Sequence, residues 1–124
     1  MKVLIVDDEK MILNLMSEAL TDEGYECFVA DNVDAAVEIM TTIPGITLII
    51  TDLKMPGKTG ADLIKIVETQ CEPNIKFIVM SGHGSPRVEG NGIDIAAYPF
   101  LRKPLSIAAL LENITSVLGT RNSY

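Results

Sequence analysis

Short apolar runs that end in polar or charged residues set the rhythm of the chain. Lys2-Val3-Leu4-Ile5-Val6 runs into Asp7-Asp8-Glu9, Thr47-Leu48-Ile49-Ile50-Thr51 into Asp52, and Ile75 to Met80 into Ser81-Gly82-His83-Gly84. Continuous runs of this kind, rich in β-branched residues, predict strands buried on both faces, as in a parallel sheet. Tyr25 to Ala30 alternates less cleanly but predicts another strand, and Tyr98 to Leu101 predicts a last one, leading into Arg102-Lys103-Pro104.

Between these runs the apolar period changes to that of a helix. Met11, Ile12, Leu15, Met16, Ala19 and Leu20 form one face, opposite Asn14, Ser17, Glu18 and Asp22, and Gly24 stands where a helix stops. Asn32 is placed to cap a helix from Val33 to about Thr41, with Val33, Ala36, Val37 and Met40 inward and Pro44-Gly45 beyond it. Asp31, just before, reads as a helix N-terminal residue. Thr59 caps a helix carrying Leu63, Ile64 and Val67. Ser106 caps the last one, with Ala108, Leu111, Ile114, Thr115 and Leu118 on one face and Gly119 closing it.

The exception is the stretch from Ser85 to Ile95. Pro86 suits a first helical turn, but Gly90 and Gly92 each cost about 1 kcal/mol relative to alanine in a helix interior. A short or irregular helix is expected there. Alternating strands and helices imply an α/β fold with right-handed crossovers and helices on both faces of a parallel sheet. Five units fit 124 residues as one domain. The expectation is a doubly wound (βα)5 three-layer sandwich of flavodoxin-like type, strand order 2-1-3-4-5, rather than a barrel or a six-stranded dinucleotide fold.

Composition narrows the function. The net charge of -7 argues against nucleic acid or an anionic membrane as a direct partner and suits bound cations or a basic protein surface. Cys27 and Cys71 lack metal-ligand spacing and are too few for a disulfide framework, so free thiols in a reducing compartment are expected. No apolar run approaches the ~18 residues that span a bilayer, and no secretory leader pattern opens the chain. A cytoplasmic protein is expected.

Asp7, Asp8, Asp52, Ser81 and Lys103 stand at strand ends, and in a parallel sheet such ends share one edge. The order 2-1-3-4-5 makes strands 1, 3, 4 and 5 neighbours. Three carboxylates brought together repel unless a cation relieves them. A hard divalent ion with oxygen ligands does so, and a lysine and a hydroxyl beside it complete a site for a phosphoryl group. A carboxylate can itself be the phosphoryl acceptor.

The residues Val6-Asp7-Asp8-Glu9, Thr51-Asp52-Leu53-Lys54-Met55-Pro56-Gly57, Ser81-Gly82-His83-Gly84 and Phe100-Leu101-Arg102-Lys103-Pro104 resemble the receiver domains of two-component response regulators, the CheY-like superfamily. The intervals fit as well: 44 residues from Asp8 to Asp52, 29 from Asp52 to Ser81 and 22 from Ser81 to Lys103. The resemblance implies that Asp52 accepts a phosphoryl group from the phosphohistidine of a histidine kinase or phosphotransfer protein, and slowly loses it again. It implies Mg²⁺ or Mn²⁺ held by Asp8, by Asp7 largely through water, by Asp52 and by the Lys54 carbonyl, with Lys103 on the phosphoryl oxygens. Ser81 and Phe100 become the switch pair, Lys54 and His83 tune the phosphoryl lifetime, and the Lys103–Pro104 bond is cis. Output is expected on the face made by the helix before strand 5, strand 5 and the last helix, toward a downstream protein or a tethered output domain.

The chain departs from the family where Gly-Ala-x-Asp commonly precedes the aromatic, having Ala96-Ala97-Tyr98-Pro99 instead. Other readings are a degenerate receiver that binds proteins without phosphorylation, and an aspartate-nucleophile phosphohydrolase. The latter wants an acid two residues after its nucleophile, where Lys54 stands. Stand-alone regulator, phosphorelay shuttle and receiver of a longer regulator or hybrid kinase all remain open.

Overall fold

In the computed structural model, residues 1–71, 74–82 and 92–119 are described. They form a five-stranded parallel sheet in the order β2-β1-β3-β4-β5, as the sequence leads one to expect. The strands are β1 Lys2–Val6, β2 Glu26–Ala30, β3 Ile46–Asp52, β4 Lys76–Ser81 and β5 Phe100–Arg102. The helices are α1 Lys10–Asp22, α2 Val33–Thr42, α3 Gly60–Ile66 and α4 Ile107–Leu118.

Side-chain alternation along the central strands divides the core into two layers. Leu4 and Val6 of β1, Ile49 of β3, and Phe77 and Val79 of β4 pack with Val33, Ala36, Leu63 and Ile64 from α2 and α3. Val3, Ile5, Leu48, Ile50, Ile78 and Met80 face the other way, onto Leu13, Met16 and Leu20 of α1 and Leu110 and Ile114 of α4. Burying a side chain of this size stabilises by roughly 1.5 to 3 kcal/mol, so this double-sided burial holds β1, β3 and β4 at the centre.

The facing of two helices corrects the expectation from sequence. On α1, Met11 is 84% exposed and Leu15 47% exposed, whereas Leu13 is buried with Met16 and Leu20. Apolar residues occur nearly all round this helix, and the stripe that meets the sheet wins. On α4 the inward stripe is Leu110 and Ile114, backed by half-buried Ile107, Leu111, Val117 and Leu118, while Ala108 and Thr115 are exposed.

Local signals end the elements where expected. Gly24 takes φ 94°, a left-handed value that glycine adopts cheaply. Asn32 and Ser106 each accept a hydrogen bond from the amide three residues on. Thr59 and Asp62 form a full capping box: the Asp62 amide donates to Thr59 Oγ1 at 3.2 Å and the Thr59 amide to Asp62 Oδ2 at 2.9 Å. Thr59→Ala removes the first of these and is expected to cost about 1 to 2 kcal/mol. Urea denaturation measures it, and an unchanged midpoint would show that packing alone fixes the start of α3.

Beyond Ile66 the helix widens into a π turn, Val67–Cys71. Most of the expected irregular helix, together with His83, lies outside the described residues. Within them, Gly92 to Asp94 are not helical and Ile95–Ala97 form one 3-10 turn. β5 begins at Phe100 rather than Tyr98, because Pro99 has no N–H to pair and only its carbonyl joins the sheet, accepting from the Val79 amide at 2.9 Å. Among the described residues no helix is long and apolar enough to cross a membrane.

Candidate functional site

Four strand ends meet at one edge of the sheet. Asp7 follows β1, Asp52 closes β3, Ser81 closes β4 and Lys103 follows β5. Backbone bonds place them: the Asp7 amide donates to the Ala30 carbonyl at 3.1 Å, Leu53 to Met80 at 2.9 Å and Lys103 to Ser81 at 2.9 Å. The Lys103–Pro104 bond is cis. Asp7, Asp52 and Ser81 are all buried, at 0%, 5% and 4% exposure, while Asp8 is exposed.

Lys103 ties the edge together. Its ammonium lies 2.8 Å from Asp7 Oδ2, 3.2 Å from Asp52 Oδ2 and 3.5 Å from Glu9 Oε1. The contact to Asp7, the shortest of the three, is an ion pair. Asp7 Oδ2 is buried and, beyond that ammonium, meets no hydrogen-bond donor among the described residues. The other oxygen, Oδ1, accepts from the Glu9 amide at 2.9 Å. Oxygens of Asp7, Asp8 and Asp52 come within 4.8 Å of one another, close enough to share one ion.

Burial raises the pKa of Asp7 above its ordinary value of 3.8, with Lys103 and the Glu9 amide opposing and Asp8 adding to the rise. Burial likewise raises Asp52, where Lys103 opposes and the Asp7 charge adds. For Lys103 burial pulls downward, but Asp7 and Asp52 outweigh it and the net direction is up.

These directions fix a sign. Asp7 and Asp52 bind protons more tightly folded than unfolded, so they favour folding below the unfolded value near 3.8. That advantage is lost as pH rises through their raised folded values. Asp7→Asn keeps the oxygen facing the Glu9 amide, and its NH2, a donor where Oδ2 met the ammonium, turns Lys103 wholly to Asp52. The variant is expected to gain on the order of 1 kcal/mol in metal-free buffer at neutral pH, or about 3 to 6 °C in melting temperature. Melts of both proteins from about pH 4 to pH 8 check this; a less stable variant at neutral pH contradicts it.

The remaining candidates take separate places. Lys54 is exposed, and its amide points at Asp52 Oδ1 from 3.5 Å. Phe100 is half-buried against the α2–α3 layer. Three neighbours of the site were given no role from sequence. Buried Thr51 donates its hydroxyl to the Asp52 carbonyl at 2.9 Å. Gly60 is pressed against that same carbonyl group, and Glu9 reaches Lys103. A glycine directly after a helix cap was the one sequence signal for Gly60.

Residues 3–115 match the family model of the response regulator receiver domain. The chain belongs to this family. Among relatives of this receiver domain, the chemotaxis protein CheY of Treponema pallidum is 32% identical over 120 residues, covering 94% of this chain and 82% of that protein. An NtrX-like response regulator of Rickettsia conorii is 33% identical over 115 residues, covering 91% of this chain but 24% of the relative. The receiver spans 22% to 53% of the length of the NtrX-like and RR06 response regulators that it matches. The structure of the response regulator TrrA of Thermotoga maritima, in complex with Mg²⁺-BeF, superposes with a TM-score of 0.79 at 26% identity, covering 93% of this chain and 96% of that one.

Proposed function

We infer that residues 1–124 act as one phosphoacceptor receiver domain, with Asp52 taking a phosphoryl group from a phosphohistidine of a histidine kinase or phosphotransfer protein. The observation that carries this reading is the Lys103 ammonium set between two buried carboxylates, 2.8 Å from Asp7 and 3.2 Å from Asp52. Such an arrangement is costly for structure alone and well suited to phosphoryl oxygens.

A divalent cation fits the donor set: three carboxylates at one point, one of them with a buried oxygen that, beyond the Lys103 ammonium, meets no hydrogen-bond donor among the described residues. Asp7, Asp8, Asp52 and the Lys54 carbonyl would hold Mg²⁺ or Mn²⁺, as hard oxygen ligands do. The bound ion supplies charge neutralisation for the phosphoryl oxygens. The complex of TrrA with Mg²⁺-BeF supports this assignment.

The chain's own residues do the rest. An Asp52 oxygen attacks phosphorus, and an O–P bond forms as the P–N bond to the donor imidazole breaks. The electron pair of that bond returns to the ring nitrogen, and Asp52 becomes an acyl phosphate. Lys103 moves from carboxylate to phosphoryl oxygen. Ser81 turns its hydroxyl toward the same group, and Phe100 follows on the output face formed by β5, α4 and the segment before β5. Lys54 and His83 tune the lifetime of the phosphorylated state. The output goes to a downstream protein or a tethered output domain.

The test is direct. After incubation with Mg²⁺ and acetyl phosphate, intact mass spectrometry is expected to show a stable gain of one phosphoryl group, abolished by chelating the metal. No gain in any condition favours a phosphorylation-independent binding module, and rapid release of phosphate over many turnovers favours a hydrolase.

A further inference from the structure

Glu9 occupies a position whose backbone is fully committed. It is the N-cap of α1, with extended backbone at φ -97° and ψ 113°. Its carbonyl accepts from the Ile12 and Leu13 amides at 3.1 and 3.2 Å, and its own amide donates to Asp7 Oδ1 at 2.9 Å. A serine, threonine, aspartate or asparagine so placed ordinarily turns its short side chain back to cap the helix. Glu9 makes no such bond. Its carboxylate extends instead to Lys103, 94 positions away in sequence, ending 3.5 Å from the ammonium.

Of the three carboxylates touching Lys103, this one alone is open to solvent. The Glu9 side chain is 62% exposed, against 7% for Asp52 and 0% for Asp7. Glu9 therefore presents a negative charge to solvent directly beside Lys103. Asp7, Asp8, Glu9 and Asp52 set four negative charges against one ammonium, so a divalent cation leaves one negative charge over, and Glu9 is the acid that supplies it.

We propose that Glu9 sets the phosphodonor preference of the site by charge: it holds part of Lys103 and disfavours small dianionic donors relative to donors of lower charge. The proposal rests on the phosphoacceptor reading of Asp52. An exposed ion pair contributes little to stability, but a charge at the opening of a site acts on the approach of ligands and does so in a salt-dependent way. Glu9 is thus a positioning and specificity residue, acting through Lys103 and through its own field.

The test compares the wild-type chain with Glu9→Gln and with Glu26→Gln. The latter removes the same charge at the start of β2, on the opposite edge of the sheet. With Mg²⁺ and acetyl phosphate, a dianion near neutral pH, Glu9→Gln is expected to gain phosphoryl groups about three to ten times faster than wild type at low ionic strength. That gain shrinks toward none near ~1 M salt and is smaller with phosphoramidate, which carries less charge. Glu26→Gln stays at the wild-type rate. In metal-free protein the Lys103 side-chain ammonium resonance moves in Glu9→Gln and not in Glu26→Gln. Should glutamine unsettle α1, Glu9→Ser, a better helix cap, carries the same expectation.

Equal rates and equal salt dependence in Glu9→Gln and wild type overturn the proposal while leaving the receiver reading intact. An equal gain in Glu26→Gln overturns it too, since total charge would then set the rate. A wild-type chain that takes phosphoryl groups from neither donor overturns the phosphoacceptor reading itself.

Discussion

Asp52→Asn is expected to take up no phosphoryl group from acetyl phosphate and Mg²⁺, a loss of more than about a thousandfold in rate. The amide has almost the shape of the carboxylate but lacks an ionised oxygen, and phosphoryl transfer here asks the protein for a nucleophile, position and charge. The variant also carries its own control against unfolding. Asp52 is buried beside a second carboxylate, and burial together with the Asp7 charge works against its ionised form. Removing that charge relieves repulsion while Lys103 keeps Asp7 at 2.8 Å. Metal-free stability is therefore expected to hold or rise, so lost uptake beside an unchanged or higher melting temperature isolates the chemistry. Full-stoichiometry uptake by the variant would place the acceptor on another residue.

The parts of this molecule legible in sequence are those where burial leaves a one-dimensional trace. β1, β3 and β4 are enclosed on both faces, so nearly every residue is apolar and each run ends abruptly at the sheet edge. Asp7, Asp52, Ser81 and Lys103 could be placed because a parallel sheet brings all such ends to one side. The facing of α1 could not, since Met11, Ile12, Leu13, Leu15 and Met16 offer several apolar stripes and only the packed sheet selects Leu13 over Met11. The start of β5 was missed for a related reason: Pro99 satisfies the local pattern but lacks the donor that the ladder uses. Glu9 and Gly60 escaped because their roles are distances between separate elements. One depends on a lysine that arrives from β5, the other on how closely α3 approaches the end of β3.

That approach makes Gly60→Ala the most damaging added methyl among the described glycines near the site. Gly60 is buried, and its amide donates to the Leu53 carbonyl at 3.1 Å. A Cβ at this position would overlap the Asp52 carbonyl oxygen and lie 3.1 Å from both the Asp52 carbonyl carbon and Leu53 Cα. All three are backbone atoms, so no side-chain rotation relieves the contact. Two effects oppose each other. Alanine gains up to about 1 kcal/mol over glycine in helix propensity, whereas overpacking against a fixed backbone costs about 1 to 3 kcal/mol or more. The clash wins, for a net loss of about 2 kcal/mol and a fall in melting temperature of roughly 5 to 10 °C. The methyl pushes on the carbonyl that Thr51 holds at 2.9 Å, which belongs to the residue proposed as phosphoacceptor. Folded Gly60→Ala is therefore expected to take up phosphoryl groups several-fold more slowly as well, because small displacements of a reacting group are costly. Thermal melts and uptake rates, measured below the lowered transition, separate the two losses. A variant as stable as wild type would mean that α3 stands off from β3 far enough to admit a side chain.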